Sequence, residues 1–258
     1  MRWGSSRGSS ERRLPSTDDA RSLVSPRGYG DAMKPVTELD ASAVDRYADA
    51  LTEVARALAE RDVTAARAAL APIAGEVWEG SLKRAGTRNS DGEATGERDV
   101  DDAARARTFL GDGMRCTYCG GRAIPRSILV AMSDVFPDEL PYYWRYKTGT
   151  VHPAYWAVAA EADHVLAHSA GGAGDDGNLA TLHVACNTIK SDSSRESMPV
   201  IEARPAPEGW DGLVSLYAAC VLAGNSRGAR HHAIGYHTER MKHFGVSAIE
   251  PEAAPDQR

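Results

Sequence analysis

The apolar residues of this chain fall into a few stretches with helical spacing, and polar segments separate these stretches. The clearest stretch covers residues 42–60, where apolar side chains recur every three or four positions and therefore share one face of a helix. Those positions are Tyr47, Leu51, Val54 and Leu58. Ser42 with Asp45 resembles a capping box, so the pattern predicts an amphipathic helix that begins there.

The same kind of pattern predicts three further helices. Asp62 or Thr64 can cap a second helix that runs through Ile73. Pro125 suits the first position of a third helix, and residues 210–223 predict a fourth. The apolar positions of these last two helices are Ile128, Leu129, Met132, Val135 and Phe136, and then Trp210, Leu213, Val214, Tyr217 and Val221.

Between the third and fourth helices the pattern changes to strand, loop, strand and helix. A strand is expected to end at Asp163 and His164, and the Gly-rich residues 170–177 predict a loop. Residues 178–182 predict a returning strand, and residues 186–190 predict the first turns of a helix. Neighbouring strand residues point to opposite faces. Asp163 and His164 can therefore act on one substrate only if the strand bends where it ends.

Two pairs of soft metal ligands flank this unit. Cys116 and Cys119 are separated by two residues, and His183 and Cys186 have the same gap. Structural zinc takes four N or S ligands in two short-spaced pairs, so the pattern predicts a zinc site. The alternative is that the two cysteines form a redox pair and that His183 ends a strand. Cys220 lies in an apolar helical stretch and is expected to be a small core residue.

An acid–histidine pair and a later asparagine offer the groups that phosphodiester hydrolysis needs. The reaction requires a water nucleophile, a base to deprotonate it, and positive charge near the developing phosphorane. His164 is a suitable base because an unperturbed histidine has a pKa of about 6.5. Carboxylate and amide oxygens, as at Asp163 and Asn187, are suitable magnesium ligands. The alternative for Asp163 and His164 is a surface pair at a strand end.

Taken in order, these residues resemble the HNH endonuclease family, the ββα-metal nucleases. The pattern is Cys116-x-x-Cys119, Asp163-His164, Gly171-Gly172, Asn178-Leu179, His183-x-x-Cys186-Asn187 and Lys190. It lies within residues 114–192, under a third of the chain. His183 stands where many members have cysteine but is itself a competent zinc ligand, and Ala167 stands where many have proline.

The resemblance implies an α+β fold in which a zinc-stapled ββα-metal nuclease core carries flanking helices at both ends. It implies that His164 activates water, and that Asp163 and Asn187 hold one divalent cation, Mg²⁺ or Mn²⁺. It further implies that Asn178 pins the loop and orients His164. The implied structural zinc ligands are Cys116, Cys119, His183 and Cys186. The implied products carry 5′-phosphate and 3′-hydroxyl ends.

This interpretation divides the chain into five segments. We expect disorder in residues 1–34, a helical hairpin in 35–84, a linker in 85–108, the HNH nuclease domain in 109–200, and a C-terminal helical segment with a basic tail in 201–258. Met33 is a candidate start of the native chain. The hairpin either packs against the nuclease core or serves dimerisation or target choice.

Several features allow two interpretations each. His168 and Lys190 are candidate phosphate contacts, or else a loop histidine and a helix-surface lysine. Aromatic residues near Arg145 and Lys147 either stack on bases or pack a small zinc-stapled core; they are Tyr142, Tyr143, Trp144, Tyr146, Tyr155 and Trp156. A basic, His-rich stretch either contacts DNA or forms a solvated helix face; it contains Arg227, Arg230, His231, His232, His237, Arg240, Lys242 and His243.

The overall charge is acidic, with 30 Lys+Arg against 36 Asp+Glu and a formal net charge of −6. This disfavours tight non-specific binding to nucleic acid but does not exclude a nuclease, because local charges and bound cations set the field at a site. No apolar signal core opens the chain, and no run reaches the roughly 18 apolar residues of a membrane span. We therefore expect a cytoplasmic protein with no membrane partner.

The leading hypothesis is a metal-dependent endonuclease that hydrolyses DNA. Two alternatives use the same residues: a non-catalytic, zinc-stapled nucleic-acid-binding module, and an RNase or nickase built on the same unit. A second copy of the chain or an accessory protein is a candidate partner in addition to DNA.

Overall fold

The computed structural model describes residues 33–84, 100–193, 204–224 and 230–247. The disorder expected in residues 1–34 falls outside this part of the chain, apart from Met33 and Lys34. The helices and strands are β1 (Lys34–Val36), α1 (Ala41–Ala59), α2 (Val63–Leu70), β2 (Glu76–Trp78), α3 (Asp102–Gly111), β3 (Ile124–Pro125), α4 (Arg126–Val135), α5 (Ala154–Ala157), β4 (Ala159–His164), β5 (Leu179–His183), α6 (Val184–Lys190), α7 (Tyr217–Leu222) and α8 (Ile234–His243).

Within the described ranges, the strands form two small sheets. β1 and β2 pair in parallel, with Lys34 opposite Glu76. The second sheet has the order β3–β4–β5, in which β3 runs parallel to β4 and β5 runs antiparallel to it. Ala160 lies opposite His183 and His164 lies opposite Leu179 in this register. Helices and small sheets are therefore mixed, and the expected α+β class is confirmed at this level.

The first helix has the predicted apolar face but a different cap. Asp40 is the N-cap of α1, because its Oδ1 accepts hydrogen bonds from the Ala43 N–H at 2.9 Å and the Ser42 hydroxyl at 2.6 Å. The predicted capping box of Ser42 and Asp45 is therefore wrong. The apolar positions Tyr47, Leu51, Val54 and Leu58 are all buried, as predicted.

Other boundaries also differ from the sequence pattern. Asp62 is the N-cap of α2, as one of the two predictions has it, but the helix ends at Leu70. α7 is shorter than residues 210–223, because Gly212 and Leu213 have left-handed backbone conformations that no regular α-helix contains. The last part of the expected linker, residues 102–108, is helical: it lies in α3, which Asp101 caps by accepting from the Ala104 N–H at 2.7 Å.

A single large hydrophobic core joins most of the helices. It contains Tyr47 and Leu51 of α1, Ile128 of α4, Tyr155 of α5 and Tyr217 of α7, all of them fully buried. The helical hairpin thus packs against the rest of the protein, as one of its two interpretations predicts. A smaller cluster contains Cys116, Cys119, Leu182 and Cys186, with Tyr118 against it.

The β4–β5 hairpin packs against helices that precede it and that follow it in the sequence. α6 follows β5 directly and packs against both strands, and α3 packs against them as well. The Asp112 carboxylate, just after α3, accepts a hydrogen bond from the Thr181 N–H of β5 at 2.7 Å. This packing fixes the end of β4, where Asp163 and His164 lie. No helix in the described part of the chain is both long and apolar enough to cross a bilayer.

Candidate metal centre and adjoining cleft

Four buried side chains converge beside the β4–β5 hairpin. The ligand atoms of Cys116, Cys119, His183 and Cys186 all lie within 4.8 Å of one another. The first pair lies in the segment that follows α3, and the second pair lies at the junction of β5 and α6. The fold therefore brings together the two pairs that the sequence separates by more than sixty residues.

A tight turn aims the first pair inward. The Cys116 N–H donates to the Gly121 carbonyl at 2.9 Å, and the Gly120 N–H donates to the Cys116 carbonyl at 2.8 Å. Gly120 has a φ of +77°, a left-handed conformation that glycine adopts at little cost. The Thr117 N–H donates to the Thr181 carbonyl at 2.8 Å, which ties this turn to β5.

His183 faces the three sulfur atoms with its Nδ1 atom. Its Nε2 atom lies 3.0 Å from the Arg122 carbonyl, which can only accept, so Nε2 carries the proton. Nδ1 lies 3.4 Å from the Cys119 sulfur and 3.9 Å from the Cys186 sulfur. A hydrogen bond from the distal nitrogen to a backbone carbonyl is typical of metal-ligating histidines, because it fixes the tautomer and the ring orientation.

The cluster has the chemistry of a cation site. Hydrogen bonds from Cys116 and Cys119 raise the pKa of the Cys186 thiol far above its ordinary value, so a further thiolate is unfavourable without a cation. Burial alone lowers the pKa of His183, but the charges and hydrogen bonds of Cys116 and Cys119 together outweigh it and raise that pKa to about 10. One nitrogen and three sulfurs in this arrangement fit the donor set of a structural zinc site. The cluster can therefore hold zinc.

Cys220 lies outside this cluster. It is fully buried in the main core, and burial raises the pKa of its thiol to about 12. An un-ionised thiol in apolar surroundings behaves as a small hydrophobic residue. The prediction for Cys220 is confirmed.

A cleft of about 780 Å³ lies at the end of β4. Asp163, His164, His168 and Asn187 all line it. β4 ends at His164 and the chain bends at the next two residues, which is the condition that the sequence set for the convergence of Asp163 and His164. The His164 and His168 rings lie edge to face, with centroids 6.0 Å apart.

Lys190 is buried between α6 and the end of β4. It is only 6 % exposed, so the helix-surface interpretation is wrong. Its Nζ donates to Asp163 Oδ2 at 2.7 Å and to the His164 carbonyl at 2.8 Å. The ammonium is thus engaged with the end of β4, and its contact to a substrate phosphate stays a prediction.

Asn178 closes the loop between the two strands. Its Oδ1 accepts from the Leu166 N–H at 2.8 Å, and its Nδ2 donates to the Leu166 carbonyl at 3.1 Å and the Ala173 carbonyl at 2.7 Å. Gly172 permits this closure, because a Cβ atom there would lie 1.9 Å from the Leu166 carbonyl oxygen. Loop pinning by Asn178 is therefore visible, and its effect on His164 stays a prediction.

Sequence reasoning missed three charged residues of the cleft: Arg105, Glu161 and Asp192. Glu161 precedes Asp163 by two positions on β4, and the two-residue repeat of a strand places both on one face, so this residue had a signal in the sequence. Arg105 comes from α3 and Asp192 follows α6. Their approach depends on tertiary packing and carries no local signal.

Four of the aromatic residues lie in or against a hydrophobic core, and base stacking by the others stays a prediction. Tyr155 is fully buried, and Tyr142, Tyr146 and Trp156 pack against the main core rather than against the smaller cysteine-rich cluster. Trp144 is 60 % exposed, and its ring lies 4.3 Å from the Arg145 guanidinium.

Among known proteins, the chain matches one family model. The model of the HNH endonuclease family matches residues 150–193. This segment contains Asp163, His164, Asn178, Asn187 and Lys190, together with His183 and Cys186, whereas Cys116 and Cys119 lie outside it. The resemblance is confirmed over this segment, and it indicates nuclease activity in general. Neither the curated proteins nor the solved structures contain a match to the chain.

Proposed function

We propose that this protein is a metal-dependent endonuclease that hydrolyses DNA phosphodiester bonds in the cleft between the β4–β5 hairpin and α6. The observation that carries the proposal is that Asp163, His164 and Asn187 line one cavity within the segment that matches the HNH family. A nucleic-acid-binding module without catalysis has no need of these three groups together.

The chemistry follows from the groups in the cleft. His164 removes a proton from a water molecule, the water oxygen bonds to phosphorus, and the bond from phosphorus to the 3′-oxygen breaks. The leaving oxygen takes a proton from solvent, so the products carry a 5′-phosphate and a 3′-hydroxyl. Asp163 and Asn187 are the residues that would hold Mg²⁺ or Mn²⁺, which supplies positive charge to the phosphorane when bound.

The donor groups fit such a cation. Magnesium prefers hard oxygen ligands and keeps several waters, so one carboxylate, one amide oxygen and a substrate phosphate suffice. Lys190 binds Oδ2 of Asp163, which orients the carboxylate and leaves Oδ1 as the oxygen that can face a cation. We assign Zn²⁺ to the buried Cys116, Cys119, His183 and Cys186 cluster, with a structural role.

One cleft of this kind can hydrolyse one strand in each encounter. Double-strand cleavage therefore requires two copies of the chain or two successive nicks. A nickase and a double-strand endonuclease differ in this respect alone, and the time course of plasmid relaxation separates them.

The test is cleavage of supercoiled plasmid, single-stranded DNA and RNA with Mg²⁺ or Mn²⁺, with wild type beside His164→Ala. We expect wild type to nick or linearise the plasmid and the variant to be inactive, with zinc content and thermal unfolding unchanged. Equal cleavage by both proteins excludes His164 as the base. Cleavage of RNA alone favours the RNase alternative, and binding without cleavage of any substrate favours the non-catalytic module.

A further inference from the structure

A second cavity of about 320 Å³ lies next to the cleft. α3, α4 and α8 contribute most of its walls, and Ala160 of β4 borders it. Arg105 and Val100 line both cavities, so the two share a wall. The second cavity involves α8, which lies outside the segment matched by the HNH family model.

Three arginines from three different helices meet at this cavity: Arg105 of α3, Arg126 of α4 and Arg240 of α8. The acidic groups beside them are fewer. Glu161 is shared between Arg105 at 3.4 Å and Arg126 at 3.5 Å, and Asp102 pairs with Arg240 at 2.8 Å. The balance of these five groups is positive. A guanidinium also carries five N–H donors, more than one carboxylate can accept, so donors remain for an anion.

An aromatic stack supports the arginine on α8. The Arg240 guanidinium lies 3.7 Å from the centroid of the Tyr236 ring, and His232 stacks on Tyr236 with centroids 4.0 Å apart. Tyr236 itself lines the cavity. Contact with an aromatic face holds a guanidinium in place and leaves its edge available for hydrogen bonds to phosphate.

We propose that this cavity binds a backbone phosphate of the nucleic-acid strand whose scissile phosphate occupies the cleft. The inference rests on the proposed function and extends it to the C-terminal helix. Ala160 and Asp163 are three residues apart on β4, about 10 Å at the rise of a strand. Successive phosphates rise about 3.4 Å along the axis in each strand of a duplex, so the bound phosphate lies a few nucleotides from the cut.

The site explains how a protein with a negative net charge can bind nucleic acid. The chain carries a net charge of −6, yet arginines concentrate where the cleft continues into this cavity. Local charge determines the field that a bound strand experiences, whereas the charge of distant faces is screened beyond roughly 10 Å at ordinary salt. Arg240 is the group on which the test depends, because its removal leaves the cleft untouched.

The experiment measures binding by the full-length His164→Ala protein without added Mg²⁺ or Mn²⁺, using a fluorescently labelled DNA duplex and anisotropy over a range of salt concentrations. Arg240→Gln should weaken binding roughly tenfold near 0.1 M salt and reduce the slope of log affinity against log salt by about 0.9, the value for one phosphate contact. Lys242→Gln is the matched control, because Lys242 lies on the same helix and pairs with Glu239 outside the cavity.

A second variant separates phosphate binding from simple loss of an ion pair. Asp102→Asn breaks the same pair as Arg240→Gln but removes the negative partner. If the cavity binds phosphate, Asp102→Asn tightens binding while Arg240→Gln weakens it. Equal effects of Arg240→Gln and Lys242→Gln, effects of the same sign for Arg240→Gln and Asp102→Asn, or no binding by the parent protein would each overturn the proposal.

Failure of this proposal is distinguishable from failure of the proposed function. Cleavage that depends on His164, combined with binding that ignores Arg240, rejects the phosphate site alone. Binding that depends on Arg240, without cleavage of any substrate, rejects the nuclease and keeps the site.

Discussion

Lys190 reaches from α6 to the end of β4, where its Nζ lies 2.7 Å from Oδ2 of Asp163. The same Nζ donates to the His164 carbonyl at 2.8 Å. One ammonium therefore holds both members of the acid–histidine pair, and its side chain is only 7 % exposed against 17 % for Asp163. We therefore propose Lys190 as a positioning residue for the two groups on which the proposed reaction depends.

Replacement of Lys190 by Gln should lower kcat by about 10- to 100-fold, the usual effect of losing a group that orients a metal ligand. The Mg²⁺ concentration for half-maximal activity should not rise, because Asp163 loses a competing cation. Asn187→Ala should differ by raising that concentration. The measurement is plasmid cleavage against Mg²⁺ concentration, with Lys242→Gln as the control for loss of one lysine. Wild-type kcat in Lys190→Gln would show that the ion pair is only structural.

Loss of a zinc ligand should affect metal content and folding together. Cys116→Ser should lower bound zinc well below one ion per chain and reduce the thermal unfolding temperature, because metal binding at such sites is coupled to folding. Cys220→Ala is the control, since Cys220 is equally buried but lies outside the cluster. It should lose stability through a small cavity and keep its zinc. Full zinc content in Cys116→Ser, measured by atomic emission, would reject the ligand assignment.

The loop between β4 and β5 offers a test of positioning by Asn178. Asn178→Asp keeps the acceptor for the Leu166 N–H but turns a carboxylate oxygen toward the Leu166 and Ala173 carbonyls, which repel it. We expect kcat to fall by about 10- to 100-fold with zinc content unchanged. Faster amide hydrogen exchange in residues 165–178 should accompany the loss. If the variant keeps a normal kcat although its loop exchanges faster, the loop does not control the orientation of His164.

The strand–loop–strand–helix order could be predicted because nearby residues determine each of these elements. Glycines concentrate in the loop, and the two pairs of soft ligands have the spacing typical of structural zinc sites. The buried face of α1 was likewise predictable, since the recurrence of Tyr47 and Leu51 fixes which side of the helix is apolar.

What the sequence did not show depends on distant contacts. Lys190 looks like an ordinary residue at the end of a helix until β4 packs beside it and supplies Asp163 as a partner. Arg105 lies in a polar stretch for which a linker was expected, although Asp101 immediately before α3 is a cap signal. The cap of α1 was misplaced for a simpler reason: Asp40 and Ser42 are both suitable caps, and a sequence pattern does not rank them.

His152 should make stability depend on pH. It is fully buried, its Nε2 lies 2.7 Å from the Ile73 carbonyl, and its Nδ1 accepts from the Ala154 N–H at 3.1 Å. Both ring nitrogens are thus satisfied in the neutral form. Burial lowers its pKa from 6.5 to about 4, against the smaller opposing effects of the hydrogen bond to the Ile73 carbonyl and of Glu76, while Arg46 lowers it further.

The sign follows from proton binding. Between about pH 6.5 and pH 4 the unfolded chain binds a proton at His152 and the folded chain does not. The free energy of unfolding therefore contains no penalty from His152 above pH 6.5, and it falls as the pH decreases through this range. A shift of this size corresponds to a loss on the order of 3 kcal/mol. Denaturant unfolding at a series of pH values measures it, with wild type beside His152→Asn, whose side-chain oxygen can still accept from the Ala154 N–H.

His152→Asn should be less stable at neutral pH and should lose less stability on acidification than wild type. His237, whose pKa burial also lowers to about 4, acts in the same direction and should leave a residual pH dependence in the variant. His243→Asn is the control for the substitution itself, because His243 is exposed. Parallel curves for wild type and His152→Asn would mean that His152 binds a proton equally well in the folded and unfolded chain.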